Sequence, residues 1–264
     1  MYFKIERRIK TPGERAVYWS GDKYITYTSV DADGKKCLVY ESFNGDWEPT
    51  GEERRVFGEN LEARDPVICR VGEKIFVVFN GLSPFQNQER CMWMHTHGTQ
   101  TVKPVFFMSG MHDVERNWSP FEYRGRLAFV YCFDPLVILI CDSDTGKCSV
   151  IKGTTPCATK GLVLKGRCNL HDRGEFYEGF ARSKHNGKEL AHLVKFTKKL
   201  ELWNVSEPVM HEDAESDDVQ VPLASWVEKD AVYVTARIGD APGCVISKYC
   251  EKSWSQKVRD MLSK

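Results

Sequence analysis

Between Asp113 and Pro135 the chain reads DVERNWSPFEYRGRLAFVYCFDP, which gathers Asp113, Glu115, Arg116, Asn117, Trp118, Glu122 and Asp134 within 22 residues. Carboxylates and amides of this kind suit hydroxyl groups, and an indole gives a pyranose or furanose ring a flat apolar face. The alternation Leu127, Phe129, Tyr131, Phe133 predicts a rigid strand directly beneath them. A polar cluster on a stiff mount is how a sugar site is built.

A second group lies at Arg64-Asp65-Pro66. Transfer at a glycosidic carbon needs a carboxylate that takes a proton from an incoming hydroxyl or gives one to a leaving oxygen. Asp65 is the first choice for that role, and Pro66 predicts extended backbone at the residue before it. Further carboxylates stand at the edges of strand-like runs: Asp113, Glu115, Asp134, Glu178, Asp218 and Asp240. Glu178 lies inside an alternating run, whereas Asp240 sits in Gly239-Asp240-Ala241-Pro242-Gly243, a competent turn by itself. Arg64, Arg116, Lys160 and Arg182 are cations at the same edges, and any two that converge would clamp a phosphate or diphosphate. Trp118 reads either as a stacking platform or as core.

Three other patterns carry less. His95 and His97 share one face of a strand, with no third metal ligand in view. Asp31-Ala32-Asp33 and Asp142-Ser143-Asp144 resemble a metal-nucleotide motif, but each is followed by Gly and Lys between two strands, as a hairpin turn requires. No glycine-rich phosphate loop and no nucleophile elbow is present. The expectation is a site without a cofactor, a divalent ion being admissible but not required.

The elements that must position these residues are strands. Runs such as Tyr24–Ser29, Lys74–Phe79, Leu127–Phe133, Gly161–Lys165, Phe176–Ser183 and Ala231–Arg237 are separated by explicit turns at Ser20-Gly21-Asp22, Arg124-Gly125 and Asn186-Gly187. One helix is expected, capped by Ser253 and running over Trp254–Leu262. The runs fall into units beginning near Glu14, Glu62, Arg116, Cys157 and Asp218, and a spacing of roughly 40–60 residues is that of propeller blades. The expectation is one all-β domain over residues 1–264, a five-bladed β-propeller with a short C-terminal helix. In such a ring the unit openings meet at a central funnel, which brings Arg64, Asp65, Arg116, Asn117, Trp118, Lys160 and Asp218 together.

Lys plus Arg and Asp plus Glu both total 37, so no global field draws the chain to nucleic acid or an anionic membrane. There is no run of 18 apolar residues, and Met1–Lys10 has charges where a secretory signal needs an apolar centre. The ten cysteines form no Cys-x-x-Cys pair and read as buried thiols of a reducing compartment. A cytoplasmic protein is expected.

ARDPVICRVGEKIFVVFNG, from Ala63, and ERNWSPFEYRGRLAFVYCFDP, from Glu115, resemble two blade openings of the five-bladed propeller carbohydrate-active enzymes. The likeness is to glycoside hydrolase family 130, the β-mannoside phosphorylases, and to related propeller glycosyltransferases. LASWVEKDAVYVTARIGDAPGCVISK is similar to their closing blade, so the likeness spans about residues 15–250. It implies that Asp65 matches the phosphorylases' proton donor. Val67 replaces their basic residue after the proline, and Lys160-Gly161 stands where an Arg-Gly-Gly is expected. With the phosphate grip altered, the leading expectation is a glycosyltransferase that moves a sugar from a nucleotide sugar or sugar phosphate to a glycan acceptor. Asp65 would be its general base. A phosphorylase or hydrolase with Asp65 as proton donor is the alternative, and a non-catalytic sugar-binding propeller the third.

Overall fold

β-Branched and aromatic residues alternating with polar ones, punctuated by Gly and Asn at left-handed turns, leave the backbone little choice but sheet. The computed structural model describes residues 1–9, 15–29, 36–51, 55–57, 59–107, 111–155, 159, 161–211, 222–229, 231–236 and 244–250. Within them the regular elements are all strands apart from one 3-10 turn at Glu59–Leu61. The helix expected over Trp254–Leu262 lies outside the described residues.

After β1 (Tyr2–Ile9), the strands pair as successive antiparallel runs. The first is β2 (Arg15–Trp19), β3 (Tyr24–Thr28), β4 (Leu38–Phe43) and β5 (Arg55–Phe57). The second is β6 (Arg64–Val71), β7 (Lys74–Leu82), β8 (Arg90–Thr96) and β9 (Val102–Phe107). Then come β10 (Ser119–Tyr123), β11 (Arg126–Phe133), β12 (Leu136–Cys141) and β13 (Lys147–Thr155). The fourth run is β14 (Leu170–Asp172), β15 (Phe176–His185), β16 (Lys188–Thr197) and β17 (Leu202–His211). The last, β18 (Pro222–Glu228), β19 (Ala231–Ala236) and β20 (Cys244–Cys250), is completed by β1, which pairs antiparallel with β20. Short parallel contacts of β9 with β13 and of β17 with β1 merge the runs into two eight-stranded sheets and one of four strands. Among the described residues the first strand thus clasps the last, β1 with β20, so that closure does not rest on loops.

The opening strands touch in series: β2 with β6, β6 with β10, β10 with β14, β14 with β18, and β18 with β2 again. Apolar clusters fill the wedges between neighbouring runs. Trp118, Phe129, Val78 and Met94 form one, and Phe121, Tyr177, Val194 and Phe196 another. Contacts between strand ends fix the polarity. Just past β6, Gly72 N donates to Glu122 near the end of β10 (3.2 Å), and Arg70 Nη1 donates to the Tyr18 hydroxyl near the end of β2 (3.3 Å). At the other side, Arg167 N donates to Ser119 Oγ at the start of β10 (3.0 Å). The opening ends of these strands therefore share one side of the molecule.

One element differs from expectation. Gly161–Lys165 is not the opening strand of the fourth run; only a bridge from Lys165 to Arg182 forms there, and the strand begins at Leu170. The cause is Gly166, whose backbone passes so close to the carbonyl oxygen of Asn117 and to Ser119 Oγ that a side chain would collide with both. This crossing breaks the pairing.

Candidate functional site

Asp65 sits on a bulge in β6, where the register with β7 slips between Arg64 and Val67. Its φ is +55°, so the extended geometry expected of a residue before proline is not what forms. The bulge turns the carboxylate toward the fourth run, where Oδ1 lies 2.8 Å from a guanidinium nitrogen of Arg167. Arg167 has φ +135°, a region that side chains rarely occupy and that persists only where surroundings over-determine it. Those surroundings are the Gly166 crossing and the hydrogen bond from its own N–H to Ser119. Its side chain is 8% exposed and that of Asp65 26%.

Around this pair lie two more arginines. Arg64 and Arg90 both reach the Glu62 carboxylate, at 3.2 and 3.6 Å. Arg90 is buried; its Nη2 donates to the Glu62 carbonyl (2.8 Å) and its Nε to Asn80 Oδ1, while Asn80 Nδ2 donates to the Glu115 carbonyl. Burial first, and then the neighbouring Arg64 charge, pull the Arg90 guanidinium below its ordinary pKa.

The cluster at 113–118 divides. The Glu115 carboxylate is 2% exposed and accepts hydrogen bonds from His112 N (2.6 Å), Trp118 Nε1 (3.0 Å) and the Tyr131 hydroxyl (3.0 Å). Trp118 is 1% exposed, packed edge-on to Phe129 and Tyr131, so the indole offers no face to a sugar. Asn117, at φ +65°, accepts from Arg182 Nη2, and Arg182 also pairs with Glu189 at 3.1 Å. Arg116 is exposed. Asp113 is exposed too; it lines an open cleft of about 390 Å³ with Phe85, Gln88, Met111 and His112.

Asp134 is exposed in the hairpin between β11 and β12. Glu178 is not at this end: it pairs across β14 with His171, the penultimate residue of that strand, and is tied to Arg173 (3.1 Å) and Lys195 (3.6 Å). The three-residue length of β14 puts it toward the closing ends, which reading the alternation could not reveal. Lys160, Asp218 and Asp240 lie outside the described residues, as do Asp31 and Asp33. The structure thus assembles Arg64, Asp65, Asn117 and Arg182 around Arg167 and Ser119. Sequence reasoning missed Arg167, Arg90, Glu62 and Asn80; the glycine before Arg167 was the one available signal.

His95 is fully buried against Phe57, and His97 lies 3.0 Å from the Tyr27 hydroxyl through Nδ1. Among the described residues no three His, Cys, Asp or Glu side chains gather in a metal-binding group. Asp142 Oδ1 accepts from Asp144 N (2.9 Å) within a turn between β12 and β13.

No protein-family model matches the sequence, and no curated protein matches it. Solved structures do match. An α-L-arabinofuranosidase from Lactobacillus brevis superposes with a TM-score of 0.64 at 12% identity, over 95% of this chain and 94% of that one. A glycosyl hydrolase from Bacteroides ovatus gives 0.63 at 9%, over 94% and 87%. A GH43 endo-arabinanase from Bacillus licheniformis gives 0.57 at 10%, over 96% and 99%. The GH43 enzymes are five-bladed propellers. The likeness establishes the fold, and it is to glycoside hydrolases of family 43 rather than to family 130 specifically. It overturns the expected glycosyltransferase and its nucleotide-sugar donor, because the neighbours that share this architecture end to end are described as hydrolases.

Proposed function

We propose that the chain is a five-bladed β-propeller enzyme that hydrolyses glycosidic bonds in the cup where its opening strands begin, with Asp65 as the reacting carboxylate. The observation that carries this reading is the Asp65–Arg167 pair, held at strained backbone in a fold shared with glycoside hydrolases. A carboxylate in contact with a guanidinium is stabilised as the anion. Asp65 is therefore suited to accept a proton from an attacking water rather than to act as the donor that the family resemblance implied. The water oxygen bonds to the anomeric carbon, its proton passes to Asp65, and the glycosidic oxygen leaves with a proton from a second carboxyl group. Glu115 is held by three donors and Glu62 is engaged by two arginines, so we assign that second role to Asp113, exposed on a cleft and joined to this region by its carbonyl, which accepts from the N–H of Arg90 (3.2 Å). The chemistry calls on no cofactor. A cytoplasmic setting remains part of the proposal, supported by the free thiols of Cys69, Cys91, Cys141 and Cys168.

The test is turnover of aryl α-L-arabinofuranosides, β-xylosides and β-mannosides and of the matching oligosaccharides, with product configuration read by NMR. Asp65→Asn is expected to lower kcat by a factor of about 10² or more, the usual share of general acid–base catalysis. Sugar binding without turnover of any glycan would replace hydrolysis by a purely binding role.

A further inference from the structure

Cys141, the last residue of β12, and Cys148, near the start of β13, are register partners across a hairpin, and both are free thiols. The turn shows which kind of pair they form. Asp142 N donates to the Lys147 carbonyl at 2.9 Å, so Asp142 and Lys147 are the hydrogen-bonded pair that closes the hairpin. Pair types alternate along antiparallel strands. Cys141 with Cys148 is therefore a non-hydrogen-bonded pair, the kind in which Cα atoms stand about 4.5 Å apart and side chains come closest. A disulfide spans Cα separations of roughly 4.4–6.8 Å, which includes that value. Both side chains enter the same core cluster, with Phe107 and Leu139, and the two sulfurs are within hydrogen-bond reach of each other. Each Sγ also lies near a carbonyl of the turn, Cys141 at 3.5 Å from Asp142 O and Cys148 at 3.9 Å from Gly146 O.

This hairpin end is where the third run of strands joins the second. Lys147 and Cys148 pair in parallel with Phe106 and Phe107 of β9, Phe106 N donates to the Gly146 carbonyl (3.0 Å), and Lys103 Nζ donates to the Asp144 carbonyl (2.7 Å). Phe106 and Phe107 in turn line the cleft on which Asp113 is exposed. A bond between the two sulfurs would hold the joint behind that wall.

We propose that Cys141 and Cys148 are a redox-sensitive pair that a hydroperoxide closes to a cross-strand disulfide, locking the joint between the second and third runs. The sulfur of one thiol attacks a peroxide oxygen, the O–O bond breaks, and a sulfenic acid and a water form. The second thiol then attacks the sulfenic sulfur; the S–S bond forms, and the sulfenic hydroxyl leaves with the second thiol's proton as water. Two thiols and one hydrogen peroxide thus give one disulfide and two waters, sulfur being oxidised and peroxide oxygen reduced. A small oxidant is required because the two residues are 2% and 3% exposed. Contact with Cys141 first, and burial second, push the Cys148 thiol well above its ordinary pKa, so closure is slow. In a reducing compartment the pair stays open, in keeping with the setting proposed above. The inference is independent of any glycan in the cup.

The test is oxidation of the whole protein with hydrogen peroxide, removal of the excess by catalase, alkylation of the remaining thiols and peptide mapping without reductant. Trypsin cuts after Arg126, Lys147 and Lys152, so the disulfide is expected as Leu127–Lys147 joined to Cys148–Lys152. Cys132 lies in the first of these peptides, and the link is therefore expected to persist in Cys132→Ser. The oxidised protein should unfold roughly 3–8 °C above the reduced one, a gain that dithiothreitol reverses. Cys148→Ala is expected to show neither the link nor the gain; should it fail to fold, the map of Cys132→Ser decides. Oxidation confined to other cysteines, or ending in a sulfinic acid at Cys141 or Cys148, overturns the proposal. So does a link that vanishes in Cys132→Ser. A link at Cys141 and Cys148 that leaves the melting temperature unchanged, or lowers it, overturns the lock.

Discussion

Asp65 and Arg167 meet at 2.8 Å from the second and the fourth run of strands, and each stands at positive φ, +55° and +135°. Neither conformation is favourable alone. The pair is therefore maintained by the packing around it, by the bulge on one side and the Gly166 crossing on the other.

Glycine at position 167 should behave abnormally. In ordinary strand backbone Gly is less stable than Ala by roughly 0.5–1 kcal/mol. Here Arg167→Ala loses the ion pair and keeps the strained φ, whereas Arg167→Gly loses only the pair. The expected loss for Arg167→Ala is about 2–3 kcal/mol, discounted from a fully buried pair because Asp65 is partly exposed. Arg167→Gly should be at least as stable as Arg167→Ala in urea denaturation; the reverse order would show that the backbone there is unstrained.

The crossing itself is testable. Gly166→Ala places a methyl group against the Asn117 carbonyl oxygen and against Ser119 Oγ, 2.5 Å away. Backbone must move, so a loss of about 1–3 kcal/mol is expected, together with weaker Arg167 N to Ser119 bonding. Gly45→Ala, which meets nothing within 4 Å, is the control and should be nearly neutral.

Glu115 should prove structural. Glu115→Gln replaces one acceptor oxygen by an NH2 group facing donors from His112, Trp118 or Tyr131, and a loss of about 2–3 kcal/mol is expected in a melting or denaturant curve. Trp118 fluorescence should change with it. If stability is unchanged and only sugar affinity falls, Glu115 belongs to the binding surface after all.

Acid should weaken the fold through His171. Its Nε2 lies 2.8 Å from Ser225 Oγ, linking β14 to β18, and burial with help from Arg173 pushes the imidazole down to about 4 from 6.5. Between these values the unfolded chain binds a proton that the folded protein does not. Stability from this group is thus complete above pH 6.5 and declines as pH falls toward 4. His171→Gln is expected to flatten part of that decline when unfolding free energy is measured from pH 7 to pH 4.

The all-β character was legible because alternation and turn glycines are local properties: Leu127 to Phe133 could face only one way on a strand with Arg124-Gly125 before it. Asp65 stood out for a similar reason, as an acid beside Pro66 at the edge of an apolar run, and its role is the one proposed above. Roles that depend on partners were not. Trp118 and Glu115 read as ligand-binding residues by type, but they face each other and Tyr131 across a wedge of core. Glu178 looked like a funnel residue, and a three-residue β14 carried it toward the other end.

By itself the sequence determined strands, turns and the grouping into repeated units, since these follow from side-chain period and backbone preference over a few residues. Only the tertiary structure decided which charges meet. Arg167, Arg90 and Arg64 are unremarkable apart; ring closure by β1, the bulge at Asp65 and the close passage of Gly166 bring them to two carboxylates, and contacts so distant along the chain leave no local pattern to read.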